Sequence, residues 1–415
     1  MAEAPVRIEN RAQLVYVLSE ACELEHGLSC SYQFAAFSLK SSTDEGVTGE
    51  QLKAIKRWKR TILNIAIDEM FHLGHACNLL TSVGGAPHLR RPNLPASPRM
   101  YPPGFVLALT PFSDDTLSRF VFTERPEGMG QDDGDAPAPK YRSHPLDRPA
   151  DIFPGGQVYE TVGHLYRAVE DGLRYLVDKY GEDGLFVSAD SQSSAFGLGS
   201  AVDLASAIGA IEEIVEQGEG ARGDVENAHY GMFLGVLNEY RELKKQDPNF
   251  EPARPVLANP YSRVPGDIHP SVEVGLVDGP MSTAVCNLFD GCYALLVLVL
   301  GRMFAHNEES DTELEALAEV TRRLMMNVVS PLGSLVTSLP AGPSSPGYNA
   351  GPSFHMLRDS HTLPHKGSAL TLFRERIREL WAYCGLLETF DDPPKGLARI
   401  TKGLGELKER LPVGA

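Results

Sequence analysis

The stretch NIAIDEMFHLGHACNLL, residues 64–80, sets Glu69 and His72 three positions apart inside an otherwise apolar run. On a helix that spacing stacks a carboxylate and an imidazole on one face. Ile55, Trp58, Ile62, Ile65, Ala76 and Leu79 make the apolar stripe here, and both polar residues fall on it. The preceding helical pattern repeats the arrangement. Leu14, Leu18, Ala21, Leu28, Tyr32 and Ala36 share its stripe, and Glu25 lies among them. A short connection makes the two helices antiparallel neighbours. Carboxylates and imidazoles that face a core are costly unless paired or bound to a cation. Together they are donors for iron, manganese or zinc, and the absence of a thiolate pair argues against a zinc ribbon or an iron–sulfur site.

The Glu-x-x-His spacing recurs in DVENAHYGMF, as Glu226 and His229, with Met232, Phe233 and Val236 continuing the His229 face. Just before it, Ile208, Ile211, Val215 and Glu219 fall on one stripe, so an antiparallel turn brings Glu219 and Glu226 to one level. The expected ligands are Glu25, Glu69, His72, Glu219, Glu226 and His229, one glutamate or one Glu-x-x-His from each of four helices. That is the ligand set of ferritin-like di-iron or di-manganese carboxylate bundles. For the third helix Glu216 and Glu213 compete with Glu219, as does Glu160 if the helix near 156–180 is the bundle member. Glu170 and His164 are read as outside the site. About one Glu-x-x-His is expected by chance. Glu23 and His26 supply it, because Glu23 leaves the apolar stripe and the pair reads as surface. Tyr32, two turns beyond Glu25, and Gln217 could hydrogen-bond the ligands.

These residues need long helices to position them. Periodicity predicts helices near 10–40, 50–84, 156–180, 200–221 and 224–245, then near 281–306, 311–338, 367–386 and 394–410. A crossover of 86–155 separates the first pair from the rest, strand-like around 104–112 and rich in Pro, Gly and Asp over 125–155. The expected fold is mainly α: a ferritin-like four-helix bundle over 1–250 with that long crossover, and a helical C-terminal extension over 251–415 that roofs the site. The apolar run CYALLVLVLG, 292–301, is short for a bilayer span and reads as a buried helix.

With 38 basic against 55 acidic residues the chain carries a formal charge of −17. Such a surface repels phosphate backbones and anionic lipid, so neither nucleic acid nor membrane is an expected partner. Six scattered cysteines with no CxxC pair, and a start without a basic-then-apolar signal, fit a reducing cytoplasm.

The segments LEHGLSCSYQFAAFSLK, IAIDEMFHLGHACNLLTSVGGAPHLRRPNLP, LALTPFSDDTLSRF and VEQGEGARGDVENAHYGMF resemble the ferritin-like domain of the iminophenyl-pyruvate dimer synthase family. This is the domain of violacein- and rebeccamycin-pathway enzymes that couple indole-pyruvate imines. The likeness covers roughly 10–245, with a looser echo in AGPSF, 350–354. It implies a metal-dependent oxidase or oxygenase of natural-product metabolism, using O₂ and two iron ions on a small amino-acid-derived substrate. Manganese or zinc would suit the same donors, and the family's association with haem leaves that cofactor open too, with no axial ligand in view. The loop histidines His355, His361 and His365 read as solvated. Competing readings are an iron-handling protein, a non-catalytic partner of a biosynthetic complex, and a manganese or zinc hydrolase or lyase. The residues leave the substrate, and whether the chain forms a homo-oligomer, undetermined.

Overall fold

The computed structural model describes residues 7–96, 106–127, 159–187, 195–218, 225–262, 275–305, 308–357, 365–408 and 410–411. Two long helices lead, α1 (Arg11–Ser38) and α2 (Gly49–Ser82). The Asn10 side chain accepts from the Gln13 amide to start α1, and a Thr48–Gln51 capping box starts α2. They lie antiparallel and form one layer of the bundle. Their stripes are buried as read, with Leu14, Leu18, Ala21 and Tyr32 facing Ile55, Trp58, Ile62 and Ile65 in one core.

The second layer is assembled from shorter pieces. Next come α3 (Asp114–Thr123), α4 (Val162–Tyr180), the single turn α5 (Glu182–Leu185), α6 (Leu204–Gly218) and α7 (His229–Gln246). At one end α4 packs on α1 and α6 on α2, while at the other α3 pairs with α7. Aromatic side chains hold that second end. Tyr32, Phe120 and Phe233 meet at 4.6–5.1 Å between centroids, and Trp58 stacks on Phe112 at 5.5 Å. Helix α3 lies inside the stretch read as crossover. The expectation of a strand near 104–112 is corrected separately, since its described residues 106–112 form no strand. Within the described part Leu107 makes one isolated antiparallel bridge to Ala96. The two described strands, Pro260–Tyr261 and Gly275–Leu276, pair in parallel elsewhere.

The extension comprises α8 (Pro280–Ala305), α9 (Asp311–Arg323), a π-helical turn over Leu324–Val329, α10 (Ser330–Val336), α11 (Lys366–Leu387) and α12 (Leu397–Leu407). Helix α8 is long and apolar enough to cross a membrane, yet most of that apolar stretch is buried inside the protein. Helices α8 and α10 pack on the back of α1 and α2, the face turned away from the second layer. Tyr293 of α8 meets His26 and Gly333 of α10 closes on Phe37, on a face of α1 other than the one that carries Glu25 and Tyr32. The described part of the extension is therefore a buttress where a roof was expected.

A close approach of the buttress to α1 is at Gly333 of α10. A Cβ placed there would stand 2.4 Å from the fully buried Phe37 ring of α1. Gly333→Val is expected to destabilise by about 1–3 kcal/mol through overpacking, read as a lowered melting temperature with helix content retained. An unchanged melting temperature would mean that α10 does not seat on α1 as described.

Candidate metal centre

Five buried side chains converge between the layers: Glu25 from α1, Glu69 and His72 from α2, Glu124 from the C-cap of α3, and His229 from the first residue of α7. They form two triads that share Glu69. One is Glu25, Glu69 and His72 and the other is Glu69, Glu124 and His229, with ligand atoms inside each triad all within 4.8 Å of one another. Glu69 turns one oxygen to each side. Its Oε2 lies 3.3 Å from His72 Nδ1 and its Oε1 2.9 Å from His229 Nδ1. The outer carboxylates stand a little farther off, Glu25 at 3.8 Å from His72 Nδ1 and Glu124 at 3.6 Å from His229 Nδ1.

Neighbours orient every one of these groups. His72 Nε2 is 2.9 Å from the Gln217 side-chain oxygen, and His229 Nε2 is 3.4 Å from an Asp68 carboxylate oxygen. An oxygen can only accept, so each Nε2 carries a proton, which leaves each Nδ1 facing the centre to hold a metal ion or, without one, a second proton. Tyr166 donates to Glu25 at 2.6 Å, and Tyr32 donates to Glu124.

Do these residues fit a metal? Glu69 Oε1 and His229 Nδ1 are both fully buried and both lack a hydrogen-bond partner, although they face each other across 2.9 Å. Two inward-facing lone pairs at that distance repel unless a cation lies beside them or, in the metal-free site, a proton sits on His229. Burial lowers the proton affinity of His229, but the carboxylates of Asp68, Glu124 and Glu69 outweigh burial and raise it. Three carboxylates and two imidazoles suit iron, manganese or zinc, and the shared glutamate suits a pair of ions. The metal-free site carries the strain as displaced proton affinities. Burial pushes the Glu25 carboxyl up to about 8, against the pull of His72. Burial, then the nearby Glu69 charge, raises Glu124 as well. Burial disfavours charge on His72, but the adjoining Glu69 carboxylate outweighs it and raises the imidazole to about 10. Glu69 is held low by His72 and His229 despite its burial.

Of the residues singled out in the sequence, Glu25, Glu69, His72 and His229 come together. Tyr32 and Gln217 contact the cluster, through Glu124 and His72 respectively. Glu226 does not join. Helix α7 begins at His229, so Glu226 is not one turn earlier on the same face but lies exposed in the preceding bend. That segment doubles back over the helix start, where a Cβ on Gly231 would meet the carbonyl oxygens of Val225 and Glu226 at 2.2 and 2.6 Å. Glu219 lies outside the described residues. Among its competitors, Glu216 and Glu160 are exposed, and Glu213, also exposed, reaches His75 at 3.4 Å. Glu124 takes the third position. Its signal was present: Ser113 followed by Asp114 and Asp115 marks a helix start, and Leu117, Phe120, Val121 and Glu124 follow at helical spacing. The pair read as surface needs correcting too. His26 is buried against Leu89 and Tyr293, while Glu23 turns away to His88. His355 meets Asn93, His365 is exposed, and His361 lies outside the described residues.

The family model for ferritin-like proteins matches residues 18–238, more than half of the 415-residue chain. The chain belongs to the ferritin-like family. It is 27% identical over 410 residues to the 2-imino-3-(indol-3-yl)propanoate dimerase of Chromobacterium violaceum, covering 92% of this chain and 38% of that protein. To the dichlorochromopyrrolate synthase of Lentzea aerocolonigenes it is 26% identical over 418 residues, with 90% and 39% covered. The chain thus spans about two fifths of the length of these curated relatives, both named as enzymes. A crystal structure of a ferritin-like protein from Caulobacter vibrioides superposes with a TM-score of 0.46 at 16% identity, covering 75% of this chain and 96% of that one.

Two measurements test this ferritin-like centre. Elemental analysis after iron loading should show Glu124→Ala losing about half of the bound metal or more, and Glu226→Ala none; the opposite pattern would return Glu226 to the site. In metal-free protein, folded Glu25 and His72 hold protons that the unfolded chain releases near its ordinary values of 4.5 and 6.5. Stability should therefore fall as pH rises from 4.5 to about 10, most steeply between 6.5 and about 8, where both groups hold a proton only in the folded state. Thermal melts in chelator should show that fall, and metal-loaded protein should show a weaker one.

Proposed function

We propose that this protein is a metal-dependent oxidoreductase in which Glu25, Glu69, His72, Glu124 and His229 hold two iron ions. The observation that carries the reading is the sharing of Glu69 between the two triads, with Glu69 Oε1 and His229 Nδ1 left unsatisfied in the interior. Two iron ions bound there would supply two-electron oxidation with O₂. The chain's own residues do the remaining work. Gln217 and Asp68 fix the imidazole tautomers, and the Tyr32 and Tyr166 hydroxyls hold protons against Glu124 and Glu25. The apolar residues around the five ligands keep bulk water from the reacting centre.

Likeness to a dimerase of an indolyl imino acid and to a chromopyrrolate synthase supports a small substrate derived from an amino acid, oxidised or oxidatively coupled in natural-product biosynthesis. The charge of −17 supports a small molecule over nucleic acid or membrane as partner, and six buried free thiols support a reducing compartment such as the cytoplasm. Manganese or zinc in the same donors is the second reading, favoured by a donor set that does not discriminate among these ions.

The test is oxygen uptake by protein loaded anaerobically with Fe(II), offered aromatic 2-imino acids formed from 2-oxo acids and ammonium. Uptake and product should both require the metal, vanish in Glu69→Ala and fall with an about 10–100-fold loss of metal affinity in Gln217→Leu. Wild-type protein that neither contains iron nor takes up Fe(II) would sink the reading. Full activity with zinc in the absence of O₂ would replace it with a non-redox one.

A further inference from the structure

The back of the α1–α2 layer carries a second site. Where the extension meets the bundle, the structure encloses a cavity of about 450 Å³, within the range of roughly 300–1,000 Å³ usual for small-molecule pockets. Its walls are Leu63, Ile67 and Met70 of α2 facing Leu296, Val297 and Leu300 of α8. None of the five buried residues of the metal centre lines it. Along α2 the lining runs from Lys56 to Leu73, which at 1.5 Å per residue is a trough of roughly 25 Å.

Its two ends differ in what they ask of a ligand. The inner end holds His26 and Tyr293, whose polar atoms are already matched. His26 Nδ1 donates to the Leu89 carbonyl at 2.9 Å, which leaves Nε2 to accept from the Tyr293 hydroxyl. Arg91, buried behind, donates to the Tyr293 oxygen at 3.0 Å and to the Phe354 carbonyl at 2.7 Å. This end needs no polar group from a ligand. The mouth is the opposite case. Lys56, Lys59 and Arg60 line it, and among the described residues no aspartate or glutamate lines the cavity. Lys59 reaches the Ser334 hydroxyl at 3.3 Å, and burial, followed by the Arg254 charge, draws its ammonium down to about 8 against the pull of the Glu45 carboxylate. Among the described residues Lys56 and Arg60 make no ion pair. On a chain with net charge −17, three cations without a lining acid are a built preference for an anion.

The wall is also shaped for variable contents. Met325, Met326 and Val329 belong to the π-helical turn Leu324–Val329 and, with Met70, line the trough. A π turn is a costly local geometry that recurs at functional sites, and methionines adapt to irregular apolar ligands.

We propose that this cavity binds an amphipathic monocarboxylate, its head between Lys56, Lys59 and Arg60 and its apolar body running between α2 and α8 toward Tyr293. The site is independent of the metal centre, so one can fail without the other. The test is titration calorimetry on full-length, metal-loaded protein with dodecanoate and, as the neutral match, dodecanol. Dodecanoate should bind saturably at one per chain, and dodecanol at least about tenfold more weakly. Lys59→Gln and the double variant Lys56→Ala/Arg60→Ala should each weaken dodecanoate about tenfold. Lys56 and Arg60 are exposed and the Lys59 change to glutamine keeps a hydrogen-bonding side chain at a half-buried position, so folding is expected to survive these substitutions. Val297→Trp, which fills the trough, should abolish binding while iron content stays at the wild-type value. No saturable binding to wild type, equal binding of acid and alcohol, or unchanged affinity in the rim variants would each overturn the proposal.

Discussion

The structure depends on one constraint: three carboxylates and two imidazoles are buried together, and they can only stay there if their charges are answered. Glu69 is where this bears hardest, since each of its oxygens faces a different histidine. The arrangement around it follows. Gln217 and Asp68 hold the far imidazole nitrogens, and two tyrosines hold the outer carboxylates. The aromatic cluster of Tyr32, Phe120 and Phe233 fixes α3 against α7, which keeps Glu124 and His229 on one side. A ferritin-like bundle usually draws such ligands from four continuous helices. Here the second layer is broken at the site itself, and a helix end and a helix beginning bring Glu124 and His229 to it.

How much of this was legible depended on whether a residue's partners lay on the same periodic element. Glu25, Glu69 and His72 could be found because long helices advertise an apolar stripe, and a charged residue on the stripe stands out. His229 was found for a partly mistaken reason. The Glu-x-x-His spacing pointed to it, yet α7 starts at the histidine and leaves the glutamate in solvent. Glu124 escaped because α3 has only ten residues, too few to show two full repeats, and its surroundings are loop-like in composition. His26 was misread because what buries it is Tyr293, 267 positions away. No local pattern reports a contact of that separation.

The extension presents the same lesson at the scale of domains. Reading it as a roof followed from the idea that added segments select substrates. The structure puts α8 and α10 behind the bundle instead, where they bury the outer faces of α1 and α2. The ferritin-like match covers 18–238, while the buried core continues without a seam into residues far beyond it.

Helix α8 gives that continuity a consequence for how the chain is made. On a ribosome the whole bundle sequence emerges before α8 does, so α1 and α2 wait with their back faces bare. The waiting partner is itself a stretch apolar enough to be taken for a membrane segment, and it carries a buried Arg302 paired with Glu309 near its end. The burial of most of that stretch against the bundle marks the protein interior as its destination. Cellular handling of the nascent chain must then protect two complementary apolar surfaces until they meet, and severing them would leave both halves prone to aggregation.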